Sequence, residues 1–179
     1  GLGAGWNDEE ADAYGISLGS TLTERFDMFD ESLEVIVSLL TNEVSNFSGQ
    51  HFTLTDAYCE PKPIQRPHPP ICIGGAGPKR TLPAVARWAQ HWNFPGGPVD
   101  SWKASRDLLW AECESIGRDP SEIMTSTHLL ADVNDPGVAV AQAEAYADAG
   151  LDMGIVYLPP PHSPAVLEAH AVALQHLAD

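Results

Sequence analysis

The sequence is 179 residues long, of which 44% are hydrophobic, and it carries 25 acidic against 9 basic side chains. A chain of this length can form one domain with a substantial core. The net charge of −16 argues against nucleic acid or an anionic membrane as the main partner, because both require a cationic protein surface. The sequence also lacks a long apolar span, a leader and a pattern of paired cysteines. We therefore expect a soluble, cytoplasmic protein.

The first 70 residues are predicted to contain one helix and one hairpin. Residues 1–5 (GLGAG) are typical of a strand end and the turn after it, and an acidic, irregular stretch follows. A helix is predicted over residues 22–40, because Thr21 and Glu24 have the capping-box spacing and apolar residues recur every three or four positions. Residues 44–54 indicate a small hairpin that turns near Gly49. Five prolines in residues 61–70 predict an extended connector.

From residue 71 onward, short apolar strands alternate with helices. The strands are predicted at residues 71–73, 92–94, 123–133 and 153–158, and the helices at residues 80–89, 100–116, 136–150 and 164–177. The predicted N-terminal caps are Asp100, Asp135 and Ser163, the last two followed directly by proline. Four strand–helix units in succession predict a parallel α/β sheet.

The length decides between two architectures that share this pattern. Short apolar strands covered by helices fit either a (β/α)8 barrel of the TIM type or a doubly wound sheet. A complete barrel requires about 250 residues, so 179 residues fall short by roughly three units. We therefore interpret residues 1–179 as a single incomplete domain, the C-terminal portion of a barrel with a small β-hairpin insertion, lacking about the first three βα units.

The loop over residues 74–81 (GGAGPKRT) is a candidate anion site. In parallel α/β folds, ligands bind beyond the carboxyl ends of the strands. Glycines let backbone amides approach an anion, and the N-terminal dipole of the next helix points to the same place. Lys79 and Arg80 are two of only nine cationic side chains, which favours an anionic ligand such as a phosphate. A plain glycine-rich turn with solvated cations explains the pattern equally well.

A second candidate site follows the predicted first strand, at residues 3–7 (GAGWN). Small residues followed by Trp6 and Asn7 could form one wall against a planar ring, with a hydrogen bond from Asn7. In the alternative interpretation, Trp6 is a core residue and Asn7 forms a turn.

The remaining chemistry-bearing residues predict no further site. The seven histidines have no metal-ligand spacing such as HxH or HExxH, so no metal site is expected. His128 lies within a predicted strand, with Asp132 on the same face, and we expect a satisfied core histidine. The sequence has no GxSxG motif, and no cysteine lies in an activating cationic setting.

Several sequence blocks in register resemble the luciferase-like monooxygenase superfamily. They are GLGAGWNDEEADAYGI, LTERFDMFDESLEVI, FSGQHFTL and PKPIQRPHPPICIGGAGPKRTLPAVARWAQHWN. The resemblance covers most of residues 1–93 and is greatest to the actinobacterial branch that uses the deazaflavin coenzyme F-420. One departure lies at residues 90–93 (QHWN), where the family often has an acidic residue just before the Trp-Asn pair.

The resemblance implies a (β/α)8 barrel that holds a flavin or deazaflavin at its C-terminal face. It also implies that the loop after the fifth strand binds the cofactor's phosphate-bearing tail, and that the turn after the fourth strand lines its ring. The matching positions are Gly74, Gly75, Ala76, Gly77 and Thr81 for the tail, and Gly5, Trp6 and Asn7 for the ring. The first three strands carry the ionisable groups near the hydride-accepting carbon in related deazaflavin enzymes. The sequence contains no counterpart of these strands, so no catalytic acid or base is assigned and the segment alone is expected to be inactive.

These inferences favour an oxidoreductase in which a small organic substrate and the deazaflavin exchange a hydride. A monooxygenase that uses reduced FMN is the alternative enzyme. A noncatalytic flavin-binding protein or an inactive fragment is the alternative outside the enzymes. Family proteins commonly form homodimers, and the helix over residues 22–40 could supply an interface, although packing within the monomer explains its apolar face equally well.

Overall fold

The first 71 residues form two helices and a β-hairpin. In the computed structural model, which describes residues 1–177, Gly1–Ile71 is the first of two units and the second begins at Cys72. The elements of the first unit are α1 (Asp8–Ala13), α2 (Leu22–Thr41), β1 (Ser45–Ser48) and β2 (Thr53–Ala57). The two strands pair in antiparallel fashion. The predicted helix and hairpin are therefore confirmed.

Helix α2 begins at the predicted cap. Oγ1 of Thr21 accepts a hydrogen bond from the amide of Glu24 at 3.1 Å. The carboxylate of Glu24 returns not to Thr21 but to Ser20, whose amide and hydroxyl donate to it at 2.7 and 2.5 Å. On the apolar face, Phe29 and Leu33 are buried. The predicted hydrophobic stripe of this helix therefore packs inward within its own unit.

A carboxylate on α2 holds the turn of the hairpin. Glu31 accepts hydrogen bonds from three consecutive amides, those of Gln50, His51 and Phe52, at 2.6, 2.9 and 3.0 Å. Burial raises the pKa of Glu31, but the three amide donors outweigh burial, and the pKa lies below its ordinary value of 4.5. A Cβ at Gly49 would collide with this carboxylate, so the turn requires glycine there.

We expect the hairpin turn to loosen when Glu31 is protonated. Because the folded chain lowers its pKa, the stabilisation is complete above the ordinary value of 4.5 and is lost as the pH falls below it. Glu31→Gln should remove most of this stabilisation at neutral pH, since a neutral amide is a weaker acceptor than a carboxylate. The amide NMR shifts of residues 50–52 during an acid titration measure the effect, and exposed Glu43→Gln is the control. Identical titration in the native protein and in Glu31→Gln would contradict it.

Of two expectations for the start of the chain, one is met in part and one is wrong. The predicted strand end over residues 1–5 is present as a single bridge residue, Leu2, and the chain turns at Gly5, whose φ is +84°. The acidic stretch after it is not irregular but forms α1. Oδ1 of Asn7 caps this helix by accepting from the amide of Glu10 at 3.2 Å, and the acidic first turn suits the helix dipole.

The second unit is built on a parallel four-stranded sheet. Its strands are β3 (Cys72–Gly74), β4 (His91–Phe94), β5 (Met124–Leu130) and β6 (Met153–Tyr157), paired in that order. Helices α3 (Thr81–Trp88), α4 (Val99–Ser115) and α5 (Gly137–Asp148) connect successive strands, and α6 (Pro164–Leu174) follows the last. Each strand pairs with the next one in sequence, as in a barrel, whereas a doubly wound sheet reverses its strand order.

The core of the second unit lies between the sheet and its helices. Along β4, Trp92 and Phe94 are buried, while His91 and Asn93 alternate with them and point to the opposite face. The other large buried side chains of this unit come from strands and helices alike: Ile73, Leu82, Val85, Trp102, Leu109, Leu129 and Tyr146. The predicted alternation of strands and helices therefore produces a core to which both kinds of element contribute apolar side chains.

Arg118, which follows α4, caps the C-terminal end of α3. Its guanidinium donates to the carbonyl oxygens of Val85, Ala86 and Ala89 at 3.3, 2.8 and 2.5 Å. The carbonyl of Val85 also accepts from the amide of Ala89 at 3.0 Å. The carbonyls that follow it lie at the helix end, where intrahelical donors are lacking and a cation is favoured by the helix dipole. Only 14% of the Arg118 side chain is exposed, so these hydrogen bonds are shielded from water.

The helix starts confirm one predicted cap and correct another. Oγ of Ser163 accepts from the amide of Val166 at 3.4 Å and caps α6. Asp100 is not a cap, because the extended backbone of Pro98 starts α4 at Val99 and leaves Asp100 in the first turn. The last helix also ends earlier than predicted and continues as a short 3-10 turn, Gln175–Leu177.

None of the helices in residues 1–177 has the length and apolar character needed to span a bilayer.

Candidate functional site

The glycine-rich loop between β3 and α3 is the clearest candidate site in the second unit. Gly75 has a φ of +121°, which L-residues with side chains rarely adopt. A Cβ built on Gly75 would lie 3.1 Å from Cγ2 of Thr81, and a Cβ built on Gly77 would lie 3.0 Å from Oγ1 of Thr81. The structure therefore brings two of the predicted residues, Gly75 and Gly77, against the buried side chain of Thr81, while Gly74 lies beside Asn93. Only glycines leave this approach open.

The electrostatics of this loop favour an anion. Helix α3 begins directly after it, and no side chain among residues 1–177 caps its N-terminus. The amide of Leu82 is bonded to the carbonyl of Gly77 at 3.0 Å, so the loop and the first helical turn form one structure. The exposed ammonium of Lys79 adds positive charge beside the positive end of the helix dipole. Glycine backbone, helix N-terminus and lysine together fit a phosphate group.

A polar network that the sequence did not predict lies next to this loop, on the sheet face opposite the helices. Oγ of Ser126 accepts from Nδ2 of Asn93 at 2.8 Å and contacts Nε2 of His91 at 2.7 Å. Asn93 and Ser126 are direct partners in the register of β4 and β5. The sequence signal was the unusual histidine before the Trp-Asn pair, but the partner lies 33 residues from Asn93.

Asn93 is the donor of its hydrogen bond to Oγ of Ser126, because Nδ2 is an amide nitrogen. In the contact between Ser126 and His91, the tautomer of the imidazole decides which group donates. Burial lowers the pKa of His91, while the nearby carboxylate of Asp152 opposes this effect. Because the lowered pKa favours the neutral imidazole, the network presents a polar surface without a cation.

The other predicted residues, Gly5, Trp6 and Asn7, lie in the first unit. The alternative that Trp6 is a core residue is wrong, because 86% of it is exposed. The side chain of Asn7 stabilises the structure, because it caps the N-terminus of α1. Gly5 has a φ of +84° and turns the chain directly before the exposed indole. The structure thus presents a large aromatic surface at this point.

Arg25, which the sequence did not single out, anchors this segment. Its guanidinium donates to the carbonyls of Leu18 and Gly5 at 3.2 and 3.4 Å and forms a short ion pair with Asp8. Its side chain is only 16% exposed. Because the bonded groups lie on both sides of Trp6, Arg25 fixes the backbone on which the exposed ring is carried.

We expect Arg25→Ala to free this segment without unfolding α2. The loss of these bonds should increase the mobility of Trp6, because its flanking residues lose their common anchor. The ¹⁵N NMR relaxation of the Trp6 indole N–H would measure that motion while the other tryptophans stay in place. Arg66→Ala is the matched control, since the bonds of exposed Arg66 within residues 1–177 go to carbonyls of its own loop, Pro63 and Gln65. Unchanged relaxation of the indole in Arg25→Ala would contradict the assignment.

The histidine expected in the core is exposed. His128 lies on the face of β5 that alternates with buried Thr127 and Leu129, so strand periodicity directs it away from the helices. Among residues 1–177, no group of three or more His, Cys, Asp or Glu side chains is arranged to hold a metal ion.

Sequence comparisons relate the chain to one enzyme family. A profile of the family described as luciferase-like monooxygenase matches residues 1–151. An uncharacterized protein of Mycobacterium tuberculosis is 34% identical over 121 residues, which are 66% of this chain and 40% of that protein. An FMNH(2)-dependent dimethylsulfone monooxygenase of Pseudomonas putida is 30% identical over 95 residues, which are 52% of this chain and 26% of that protein. The chain thus spans about 40% of the length of the first curated relatives that it matches.

Solved structures share the fold at low identity. An F-420-dependent secondary alcohol dehydrogenase, solved with an F-420–acetone adduct, has a TM-score of 0.84 at 16% identity over 99% of this chain and 68% of that chain. The coenzyme F-420-dependent tetrahydromethanopterin reductase of Methanopyrus kandleri has a TM-score of 0.75 at 13% identity, over 96% and 71% of the two chains. The predicted fold class, an α/β portion of a luciferase-like barrel, is confirmed. The match over residues 1–151 shows that the chain belongs to the luciferase-like monooxygenase family.

Proposed function

We propose that this chain is part of an oxidoreductase that transfers hydride between a small organic substrate and the deazaflavin coenzyme F-420. The observation that supports the proposal most directly is the glycine loop, in which Gly75 and Gly77 lie against Thr81 and a helix without a side-chain cap follows. A coenzyme with a phosphate-bearing tail provides the anion that such a loop suits. Similarity of fold to two F-420-dependent enzymes supports the choice of coenzyme.

The proposed task of the loop is to bind and orient the tail. The backbone amides of Ala76 and Gly77 donate to phosphate oxygens, the Thr81 hydroxyl adds a further donor, and Lys79 contributes charge. Gly74 and Gly75 allow the close approach. The bound coenzyme supplies the hydride chemistry, whereas the protein binds it, orients it and excludes water. No residue of this chain is assigned as a catalytic acid or base.

The ring contact is a separate proposal for the first unit. The exposed indole of Trp6 offers a flat apolar surface, which suits stacking or edge contact with a tricyclic ring. Gly5 is needed for another reason: a Cβ there would lie 2.9 Å from Cδ2 of Leu18, so glycine lets the chain turn beside Leu18 directly before the indole. Asn7 accepts from the amide of Glu10 at Oδ1 and donates from Nδ2 to the carboxylate of Glu10 at 3.4 Å, which leaves the second N–H of Nδ2 for the ring.

A monooxygenase that uses reduced FMN is the second candidate. It is favoured by the 30% identity to a relative named as FMNH(2)-dependent. FMN also ends in a phosphate, so the same loop serves both candidates and does not distinguish them. The small organic substrate, a homodimer and a cytoplasmic location remain predictions for the whole protein.

Titration of the intact protein with each coenzyme distinguishes the candidates. Coenzyme F-420 and reduced FMN are added separately, the latter without oxygen, and binding is followed by absorbance. Binding of F-420 alone supports the first proposal, and binding of FMN alone favours the monooxygenase. A protein that binds both is assigned by single-turnover assays, in which hydride transfer to F-420 is compared with oxygen uptake. Binding of neither coenzyme would refute both enzymatic proposals.

A further inference from the structure

Strand β4 holds the glycine loop at two successive peptide groups. The amide of Gly75 donates to the carbonyl of Asn93 at 3.0 Å, which extends the pairing of β3 and β4 beyond the strand. The carbonyl of Gly75 accepts from the indole Nε1 of Trp92 at 2.7 Å. The second contact is made by a side chain that is fully buried. The amide and the carbonyl of Gly75 are therefore both hydrogen-bonded to neighbouring residues of β4, Asn93 and Trp92.

The second contact determines where the next amide points. The carbonyl of Gly75 and the amide of Ala76 belong to the same trans peptide group, in which the C=O and N–H bonds point in opposite directions. With the carbonyl directed at Trp92, the Ala76 amide is directed away from it. Among residues 1–177, the structure gives this amide no hydrogen-bond partner, so it remains available to a ligand.

The loop needs such a constraint because of its own composition. The orientation of the peptide group between Gly75 and Ala76 is set by ψ of Gly75 and φ of Ala76. Glycine lacks a Cβ and restricts ψ little, so a second orientation of this group is within reach. In that orientation a carbonyl oxygen, and not an amide, would face the anion and repel it. The reversed peptide would also leave a buried indole N–H without a partner, which is unfavourable.

We propose that Trp92 is a positioning residue, which turns the Gly75–Ala76 peptide so that its amide faces the bound anion. The inference rests on the proposed function of the loop as a phosphate site. Trp92 does not touch the ligand. It acts by raising the population of the loop conformation that can bind, and the apparent dissociation constant scales inversely with that population.

The chain supplies a matched control for the indole N–H. Trp102 is also fully buried in the second unit and packs edge-to-face against Tyr146. Unlike Nε1 of Trp92, its Nε1 has no hydrogen-bond partner among residues 1–177. Trp102→Phe therefore removes a similar apolar volume but no hydrogen bond, whereas Trp92→Phe removes both.

The binding test uses intact protein, with coenzyme F-420 and inorganic phosphate as probes. Trp92→Phe is expected to weaken the binding of both probes by about tenfold, and Trp102→Phe by less than about threefold. A second variant replaces Trp92 by 3-benzothienylalanine, which exchanges the N–H for sulfur at nearly constant volume. This variant separates the lost hydrogen bond from lost packing and decides the question if Trp92→Phe does not fold. A loss below about fivefold for the benzothienyl variant would overturn the proposal.

NMR separates failure of this inference from failure of the proposed function. If Trp92 positions the peptide, the amide resonance of Ala76 shifts in the benzothienyl variant without any ligand present, while Trp102→Phe leaves it unchanged. If native protein binds neither probe, the loop is not a phosphate site, and the proposed function fails whatever the resonance does. If native protein binds both probes and the Ala76 resonance and both affinities are unchanged in the variant, the proposed function stands and the role of Trp92 is refuted.

Discussion

Gly75→Val is expected to abolish binding of the phosphate-bearing tail, weakening the affinity for FMN by about a hundredfold or more. Two effects act together. A β-branched residue is strained at a φ of +121°, and its Cβ would lie 3.1 Å from Cγ2 of Thr81 before the rest of the side chain is placed. The loop must then move, which removes the amides from the phosphate. Isothermal titration with FMN and with riboflavin, which lacks the phosphate, measures the change.

Gly150→Val is the control for backbone strain. Gly150 also has a positive φ, +91°, but nothing lies within 4 Å of a Cβ built on it. It follows α5 rather than β3, so its replacement should lower stability without changing the affinity for FMN. The diagnostic result is that Gly75→Val reduces the affinity for FMN to that for riboflavin. Retention of native FMN affinity in a folded Gly75→Val protein would refute the phosphate site.

Arg118→Ala is expected to lower the free energy of unfolding by about 2–4 kcal/mol. The reason is the set of three carbonyl acceptors at the end of α3, which lose a shielded cationic donor at once. Arg118→Lys should recover part of this loss, because an ammonium keeps the charge but cannot bond three separated carbonyls as a guanidinium does. Urea denaturation followed by circular dichroism measures both variants.

Lys103→Ala is the matched control for removing one positive charge from the second unit. Lys103 is half-exposed, and its ion pair with Asp100 spans 3.8 Å, so its loss should change the unfolding free energy by less than about 0.5 kcal/mol. Similar stabilities for Arg118→Ala and Lys103→Ala would show that the carbonyl contacts of Arg118 contribute nothing beyond charge.

The types of most elements followed from the sequence because they depend on neighbours within one or two turns. Helix α2 was recognisable from the spacing of Thr21 and Glu24 and from its apolar stripe, and both features recur in the structure. The parallel strands were recognisable as short apolar runs ended by glycine or followed by a cap. The predicted start of a helix was wrong where two nearby residues both fitted a helix start. Asp100 resembled a cap, but the backbone of Pro98 had already started the helix.

The residues of the candidate site likewise fall into two groups, those that the sequence predicts and those that only the folded structure brings together. Residues 74–77 and Thr81 were predictable, because glycines, a strand end and a helix start are adjacent in sequence. Their supporting residues were not, because they come from other strands and helices. Trp92 reaches Gly75 from 17 positions away, and Ser126 meets Asn93 only through the register of β4 and β5.

The sequence by itself determined an acidic chain with alternating strands and helices and a glycine loop between a strand and a helix, since composition and short-range pattern carry that information. That this loop binds an anion stays a prediction. Only the tertiary structure decided which way the peptides of that loop are held. The orientation depends on a buried indole donor, and on the strand register that places it 2.7 Å from one carbonyl oxygen. Length and charge were the first observations, whereas this contact joins residues 17 positions apart and exists only in the folded chain.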